Sequence, residues 1–470
     1  MEISAVRKYK IFSNADILSA CFIWLCLVMV MLQHSVPVPI PGVDGVHISL
    51  FELISVAMWF FFAIKLVRRK VVLTRRLLMI GGLGLLLLVV YFIASVYRVL
   101  TSGDVFTSFF AIRAVYASLI LYLLIETGFI KKKYLGYALL FFHTTFNLVF
   151  IVLIILTQNI RLYNFLGVQS TTFYVCLLLA LVPLSFYYLA NENTHLRQKY
   201  LIMFLCMFNI TISLAASVLL GMRIAFLLIP LSSLACIIIL WNKGKRFRIK
   251  SICTIAMALF IVVPALLFNV LNVQIYAIRQ LSFVVDLTVT SVDHSSHPEP
   301  NVESEDELTA GRPEISFIRP PEEMTAVDHL YSTVENDRAR VDSWRAATDE
   351  FFRSPILGTG VMIFPTDFTP ILPHNFILEY LNAFGGLGFL VWGALYLTAF
   401  LFVALQFKKM NREGRRRILI FVISVLGILG ISFVQPTMLT LWPNMILWIM
   451  FSFFADDQNP QIEEEVSKPV

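Results

Sequence analysis

Four polar residues at the start of a long apolar segment could carry out chemistry. His374 and Asn375 come directly before the segment, which begins at Phe376, and Glu379 and Asn382 follow within two turns. An imidazole with an unperturbed pKa of about 6.5 can accept a proton at neutral pH. If the segment is a helix, Asn375, Glu379 and Asn382 share one face. We therefore expect a proton-transfer site at His374, although a histidine that only caps a helix end would give the same pattern.

Glu379 lies about one turn inside this apolar segment. A carboxylate in such a position is costly and normally faces a polar cavity. It could orient His374, and an ordinary hydrogen bond between helices explains it equally well. Glycines follow within the next turns, and we expect them to serve helix packing rather than chemistry. They are Gly385, Gly386, Gly388 and Gly393.

Three arginines could bind an anionic group near this site. Arg223 opens an apolar segment, where a helix N-terminus would add to its charge on a phosphate, and a snorkelling arginine is the alternative. Arg340 lies on an amphipathic stretch that leads to His374. Arg113 falls about two turns inside another apolar run, so we expect it to face the protein interior. Arg98 is interpreted as an ordinary arginine at a helix end.

The elements that must position these residues are membrane helices. Of 470 residues, 58% are hydrophobic and 14% are charged, and the apolar residues form runs long enough to cross a bilayer. Basic residues cluster between these runs, which is the positive-inside pattern and not that of a nucleic-acid-binding protein. The chain is predicted to be an all-α polytopic membrane protein with about twelve transmembrane helices and both termini cytoplasmic. The predicted spans are 14–33, 48–67, 77–97, 105–126, 134–157, 170–190, 200–219, 224–241, 251–270, 376–405, 418–435 and 438–455.

One predicted extracytoplasmic loop is much longer than the others. Its acidic, Pro-rich part has few large apolar residues, so we expect a mobile insert there. Its last part predicts an amphipathic helix on the membrane surface, because Val341, Trp344, Thr348 and Phe351 recur at helical spacing. The predicted organisation is 1–270 for helices one to nine, 271–374 for the loop (about 288–330 the insert, about 331–353 the surface helix), 375–455 for helices ten to twelve and 456–470 for an acidic cytoplasmic tail.

Several kinds of chemistry have no support in the sequence. All six cysteines lie in apolar runs, which argues against disulfides and thiolate metal sites. The spacing of Asp293, His294 and His297 only loosely resembles that of metal ligands, and these residues fall in the predicted insert. No phosphate-binding loop, dinucleotide fingerprint or nucleophile elbow is present, so we expect no metal and no other cofactor. His143 and Asn147, one turn apart in mid-span, predict hydrogen bonds between helices.

The spacing around His374 resembles the signature of the O-antigen polymerase and O-antigen ligase superfamily of bacterial envelope glycosyltransferases. In that signature a histidine is followed by Asn, Ser or Gln, then by nine residues, a glycine, two residues and often a second glycine. His374 and Asn375, the nine residues 376–384, Gly385 and Gly388 fit this spacing.

The resemblance extends from about Ser213 to the end of the chain. The run from Arg340 to Gly360 is similar to the segment before the family's histidine, and the predicted topology is similar as well. There are two departures. Trp344 replaces a leucine of the family pattern, and Gly221-Met222 precede Arg223 where serine is more usual.

The resemblance implies a GT-C-like, metal-independent, inverting glycosyltransferase of the bacterial inner membrane, with its active site on the periplasmic side. The donor would be a polyprenyl-diphosphate-linked glycan, and the acceptor a saccharide or a lipid-linked acceptor. His374 would be the base, Arg223 and Arg340 would bind the diphosphate, and Asn375, Glu379 and Arg113 would support them. A chain-length regulator is an implied partner.

Three functions remain open from the sequence. A polymerase would join lipid-linked repeat units into O-antigen or exopolysaccharide, and it is the preferred interpretation. A ligase would move finished glycan to lipid A-core or another acceptor. A secondary transporter depends only on the number of spans and on intramembrane charge, and the chain lacks paired interrupted helices in two matching halves.

Overall fold

A computed structural model describes most of the chain as helix. The described residues are 14–31, 38–39, 47–68, 71, 73–101, 107–157, 170–191, 196–219, 223–267, 326–360, 373, 375–433 and 441–455. The helices are α1 (Asn14–Met31), α2 (Leu50–Val67), α3 (Arg75–Thr101), α4 (Thr107–Glu126), α5 (Leu135–Thr157), α6 (Ser170–Ala190), α7 (Leu196–Leu219), α8 (Arg223–Leu240), α9 (Lys245–Leu267), α10 (Ala326–Arg353), α11 (Phe376–Ala404), α12 (Arg412–Ser432) and α13 (Leu441–Phe454).

Short elements connect some of these helices. Single 3-10 turns cover Lys132–Tyr134, Trp241–Lys243 and Leu405–Lys408. Two-residue strands β1 (Val38–Pro39) and β2 (His47–Ile48) pair antiparallel between α1 and α2. These strands are too small to form a core, so the described part of the molecule depends on helix packing.

Each predicted span overlaps one described helix. Seven helices of the described part are long and apolar enough to cross a membrane, which supports the predicted helical membrane protein. These stretches are Leu50–Val67, Arg75–Arg98, Leu135–Val152, Lys199–Leu219, Ala225–Lys243, Lys245–Ala265 and Phe376–Lys408. Three shorter apolar helices, Asp16–Met31, Tyr174–Ala190 and Pro443–Phe454, fall in other predicted spans. The total of twelve spans stays a prediction.

The predicted amphipathic helix of the long loop is present with a different start, and its location on a membrane surface stays a prediction. Helix α10 begins at Ala326, five residues before the predicted start, and ends at Arg353, the predicted last residue, directly before Ser354-Pro355. The remainder of the predicted insert lies outside the described residues, as do the acidic tail and the loosely metal-like group at 293–297.

The core brings distant parts of the sequence together. Helix α11 packs along α3, α13 packs along α4, and α12 packs on α6 and α8. Aromatic side chains fill the centre between these layers. The buried Trp448 ring lies 5.2 Å from the Tyr122 ring and 5.0 Å from the Tyr396 ring, centroid to centroid. The two halves of the chain therefore form one packed bundle, and α3 and α10 both reach α11.

His143 forms the hydrogen bonds between helices that the sequence predicts. Its Nδ1 lies 3.2 Å from Ser185 Oγ on α6, and its Nε2 lies 3.1 Å from Ser213 Oγ on α7. The Ser213 hydroxyl donates its only proton to the Asn209 carbonyl at 2.6 Å, so its oxygen can only accept from the ring. His143 therefore carries its proton on Nε2, and Nδ1 accepts from Ser185.

We expect H143L to lower the free energy of unfolding by about 1–2 kcal/mol, because it leaves the Ser185 hydroxyl buried without the ring nitrogen. Thermal unfolding of the purified protein in detergent measures this change. The triple variant H143L/S185A/S213A removes both sides of the interaction and should recover part of the loss. A triple variant that is less stable than H143L would show that the imidazole bonds are not the source of the effect.

Candidate functional site

Asn375 begins α11 and satisfies its first backbone donors. Its Oδ1 accepts from the backbone N–H groups of Ile377 at 3.0 Å and Leu378 at 3.4 Å, which makes it the N-cap. His374 itself lies outside the described residues, whereas its neighbours Pro373 and Asn375 are described. The side chain amide oxygen of Asn375 thus serves the helix end, and its predicted supporting role in the site stays a prediction.

Trp344 holds the residue on the other side of His374. The indole Nε1–H of this α10 side chain donates to the backbone carbonyl of Pro373. The chain is therefore fixed on both sides of the histidine, by Trp344 at Pro373 and by the helix cap at Asn375. The sequence presented Trp344 as a departure from a family pattern, and no local signal pointed to this contact across 29 positions.

Arg340 lies one turn before Trp344 on α10. Residues four apart share one face of a helix, so the half-buried Arg340 is carried on the side of α10 that reaches Pro373. The Ser343 hydroxyl donates to the Arg340 carbonyl at 3.0 Å, within the same helix. The structure therefore places Arg340 one helical turn from Trp344, the residue that contacts Pro373.

Small residues form the face of α10 that is buried. Ala339, Ser343 and Ala347 are four residues apart and almost fully buried, whereas Val341 on the predicted apolar stripe is 42% exposed. Asn382 joins the two helices, since its Nδ2 donates to the Ala347 carbonyl at 2.9 Å. The same amide donates to the Leu378 carbonyl at 2.9 Å in its own helix. Small side chains allow α10 to approach α11 closely enough for this bond.

The turn after α10 packs on α11 through its backbone. The Gly386 N–H donates to the Pro355 carbonyl at 2.7 Å, and the Leu387 N–H donates to the Ile356 carbonyl at 3.2 Å. In the other direction, the Gly360 N–H donates to the Asn382 carbonyl at 2.9 Å. These bonds are possible because α11 is interrupted, and the interruption frees backbone groups that a continuous helix would use internally.

Glycines make this contact sterically possible. Gly385 has φ 68° and ψ −178° inside α11, a conformation that other residues rarely adopt. A Cβ on Gly385 would lie 2.1 Å from the Ile356 carbonyl oxygen, and one on Gly358 would lie 2.5 Å from the Asn382 carbonyl oxygen. Gly393 has no atom within 4 Å of such a Cβ. The packing interpretation therefore holds for Gly385, although its neighbour is a turn and not a helix, and it is wrong for Gly393.

Glu379 is fully buried in the first turns of α11. It follows the Asn375 cap by one helical turn and precedes Asn382 by three residues, so it lies on the side of α11 that packs against α10. This placement agrees with the predicted shared face of the three residues. The buried carboxylate of Glu379 therefore lies at the same end of α11 as Asn375, the residue next to His374.

Arg98 was interpreted wrongly as an ordinary arginine at a helix end. Its side chain is only 2% exposed, and its Nη2 donates to the Leu357 carbonyl at 3.4 Å. A Cβ on Gly360 would lie 3.1 Å from both Cδ and Nε of Arg98. The turn that packs on α11 therefore also contacts α3. Sequence reasoning missed this residue because the contact spans 259 positions and leaves no local pattern.

Arg113 faces the interior as predicted, and it pairs there with a carboxylate of a neighbouring helix. Its Nε lies 3.1 Å from Glu52 Oε1 on α2. Glu52 Oε2 also accepts from the Ser49 backbone N–H at 2.7 Å and from its hydroxyl at 2.9 Å, which forms a capping box at the start of α2. The described contacts of Arg113 thus tie α4 to α2, and nothing in them links it to the group around Asn375.

Arg223 begins α8, as the sequence predicts, while its side chain lies outside the described residues. Helix α8 packs mainly on α6 and α12, and α12 in turn packs on α11. The structure therefore leaves the predicted meeting of Arg223 with Arg340 as an expectation. Among the side chains that the structure describes, no group of three or more His, Cys, Asp or Glu residues could hold a metal ion.

We expect W344F to loosen the start of α11 while it preserves the aromatic packing. The change removes one hydrogen bond to the Pro373 carbonyl, which is worth about 1 kcal/mol. Hydrogen exchange at the backbone amides of residues 377–381 should become faster, and mass spectrometry of the intact membrane protein measures it. R345Q, at a 76% exposed side chain on the same helix, is the matched control and should leave exchange unchanged. Equal exchange in W344F and the wild type would contradict a holding role for the indole.

Comparisons with known proteins do not place the chain in a family. A scan against models of protein families finds no match. A search of curated proteins likewise finds no match.

Proposed function

We propose that this chain is a membrane glycosyltransferase that polymerises polyprenyl-diphosphate-linked oligosaccharide repeat units into O-antigen or exopolysaccharide. One observation supports the proposal most directly. The residues that make the sequence similar to the O-antigen polymerase and ligase superfamily have defined structural roles. Asn375 caps α11, and Gly385, at the fixed spacing from it, interrupts α11 and receives the turn after α10. The spacing is therefore the length of one helical piece, and His374 directly precedes that piece.

The length of α11 supports a site at the membrane surface. The helix has 29 residues, or about 44 Å at 1.5 Å per residue, which exceeds the roughly 30 Å of a hydrocarbon core. The part after Gly385 has about 19 residues and is long enough to cross by itself. The piece with Glu379 and Asn382 then lies above the hydrocarbon, at headgroup level, where a lipid-linked diphosphate would be. On this view Glu379 does not lie within the apolar core, contrary to the expectation from sequence.

In the proposed mechanism the acceptor hydroxyl loses its proton to His374 as it attacks the anomeric carbon of the donor. The bond from that carbon to the diphosphate breaks, and the polyprenyl diphosphate leaves with inversion at the sugar. Arg340 and Arg223 stabilise the negative charge that develops on the diphosphate. Glu379 orients the imidazole or an acceptor hydroxyl. The transfer needs no metal when arginines supply the positive charge.

The proposed setting is the inner membrane of a bacterium, with twelve spans, both termini in the cytoplasm and the site on the periplasmic side. The basic clusters support this orientation, because Lys131–Lys133 and Lys408-Lys409 lie at helix ends that would face the cytoplasm. The growing glycan and a chain-length regulator would meet the protein on the opposite side. Arg113 keeps its predicted supporting role within this proposal, although the contact that the structure describes for it is with Glu52 on α2.

An O-antigen ligase, which transfers the glycan to lipid A-core or another acceptor, is the second candidate. It uses the same donor and the same proposed residues, so only the acceptor separates the two reactions. A secondary transporter has less support. The interruption of α11 has no described counterpart in the first half of the chain, where transporters place a second interrupted helix.

The test is transfer by the purified protein. The full chain in lipid nanodiscs is supplied with a lipid-diphosphate-linked repeat unit from its native host and no other acceptor, and the products are separated on a gel. We expect a ladder of longer glycans. Consumption of the donor only after lipid A-core is added would identify a ligase. No consumption in either condition would overturn glycosyl transfer and favour transport.

A further inference from the structure

Arg98 links α3 to the turn between α10 and α11. Its guanidinium donates from Nη2 to the Leu357 carbonyl, and its Cδ, Nε and Cζ lie 3.1 to 3.2 Å from where a Cβ on Gly360 would be. The aliphatic stem and the planar group thus cover the Gly360 backbone. With only 2% of the residue exposed, the charged group is enclosed by protein.

The turn that Arg98 covers is fixed on its other side to α11. Gly360 donates to the Asn382 carbonyl before the interruption at Gly385, whereas Gly386 donates to the Pro355 carbonyl after it. The turn therefore bridges the two pieces of α11. Because Gly385 interrupts the helix between the two pieces, these bonds from the turn help to hold the angle between them.

The first piece of α11 is the one that carries the candidate site. It begins at the Asn375 cap and contains the buried Glu379, and Asn382 ties it to α10 at the Ala347 carbonyl. A shift of the turn would be transmitted to this piece through the Gly360 to Asn382 bond. Arg98 is the described side chain of α3 that holds the turn in place.

We propose that Arg98 is a positioning residue of the site, which sets the direction of the first piece of α11 by holding the turn 355–360. This role rests on the proposed transferase function. Arg98 does not touch substrate, and its effect reaches the chemistry through the turn and Asn382. Lysine cannot substitute fully, because an ammonium is a point charge without the plane that covers Gly360.

The first test needs no activity. Hydrogen exchange of the full chain in nanodiscs compares R98Q with the wild type and with R345Q, a change at an exposed arginine of α10. We expect the amides of Gly358, Gly360, Gly386 and Leu387 to exchange about tenfold faster in R98Q only. Peptides from α6 and α12 should be unchanged in all three proteins. Unchanged exchange in the turn would overturn the proposal.

The second test separates positioning from binding of the diphosphate. In R98Q we expect kcat to fall about tenfold or more while KM for the lipid-linked donor stays within about twofold, because a displaced site slows the reaction without weakening donor contacts. A raised KM with unchanged kcat would overturn the proposal in favour of direct donor binding. R98K, which keeps the charge, serves the same test if R98Q does not fold.

The two tests distinguish this inference from the proposed function. If the wild-type chain transfers no sugar, the proposed function fails, and hydrogen exchange still decides whether Arg98 holds the turn. If the wild type is active and R98Q has normal exchange and normal kcat, the function stands and the role of Arg98 is wrong.

Discussion

H374A should reach the membrane in normal amount, fold normally and lose glycan synthesis. In the proposed mechanism the imidazole accepts the proton of the acceptor hydroxyl, and positioned general bases contribute about 10²- to 10⁴-fold to the rates of such reactions. We therefore expect kcat to fall at least a hundredfold. The measurement is the gel assay with purified protein and lipid-linked repeat units, alongside thermal unfolding in detergent.

N375A is the contrasting variant, because it changes the neighbouring residue that caps α11. Loss of the two bonds to the Ile377 and Leu378 backbone should cost about 1 kcal/mol of stability. It should reduce synthesis much less than H374A does. Comparison of H374A with N375A shows whether His374 acts as a base or only supports the helix end. Near-normal product from H374A would remove His374 as the base, and a lower unfolding temperature for H374A than for N375A would indicate a role in the helix end.

The helices and the boundaries of the candidate site were predictable because their signals are local. Apolar runs predicted the positions of the long apolar helices, and the helical spacing up to Phe351 predicted the end of α10 at about residue 353. The position of Asn375 before an apolar run likewise predicted a helix start. Each of these features depends on residues within about one turn of each other, which is the range over which propensity and periodicity operate.

The contacts that shape the site were not predictable, because each joins residues far apart in the chain. The Arg98 contact with Leu357, the Trp344 bond to Pro373 and the Arg113 pair with Glu52 are examples. An arginine near a helix end has the same local sequence whether it snorkels or packs under a turn. For Arg98, only the packing of α3 on α11 decides that the side chain is buried under the turn.

The backbone conformation of Gly385 likewise could not be predicted from local sequence. The sequence shows a glycine in an apolar run, which predicts close packing in a continuous helix. The structure shows an interruption with a positive φ, since the turn after α10 provides the hydrogen-bond partners for the freed backbone groups. The interruption depends on that turn, so it could not be predicted from the sequence of α11 alone.

G385A should therefore be among the most damaging single substitutions in the protein. Alanine at φ 68° and ψ −178° is strained by about 1–3 kcal/mol, and its Cβ would lie 2.1 Å from the Ile356 carbonyl oxygen and 2.5 Å from the Gly358 N–H nitrogen. Both neighbours are backbone atoms, so relief requires the turn to move away. We expect a loss of about 3 kcal/mol or more, with most of the protein misfolded or the turn detached.

G393A is the matched control in the same helix. No atom lies within 4 Å of a Cβ at Gly393, and alanine is a better helix former than glycine by up to about 1 kcal/mol. Thermal unfolding in detergent and the yield of monodisperse protein should be equal to or slightly better than those of the wild type. G385A should fail in both measurements.

The outcome decides what the fixed spacing from Asn375 to Gly385 means. If G385A is damaged and G393A is not, the glycine is required because the turn after α10 must rest on an interrupted helix, and the residues between the cap and the interruption form a separate unit that carries the site. If G385A unfolds at the wild-type temperature, α11 tolerates a continuous helix at this point. The turn would then pack elsewhere. In that case the angle between the two pieces of α11 does not position the residues next to His374.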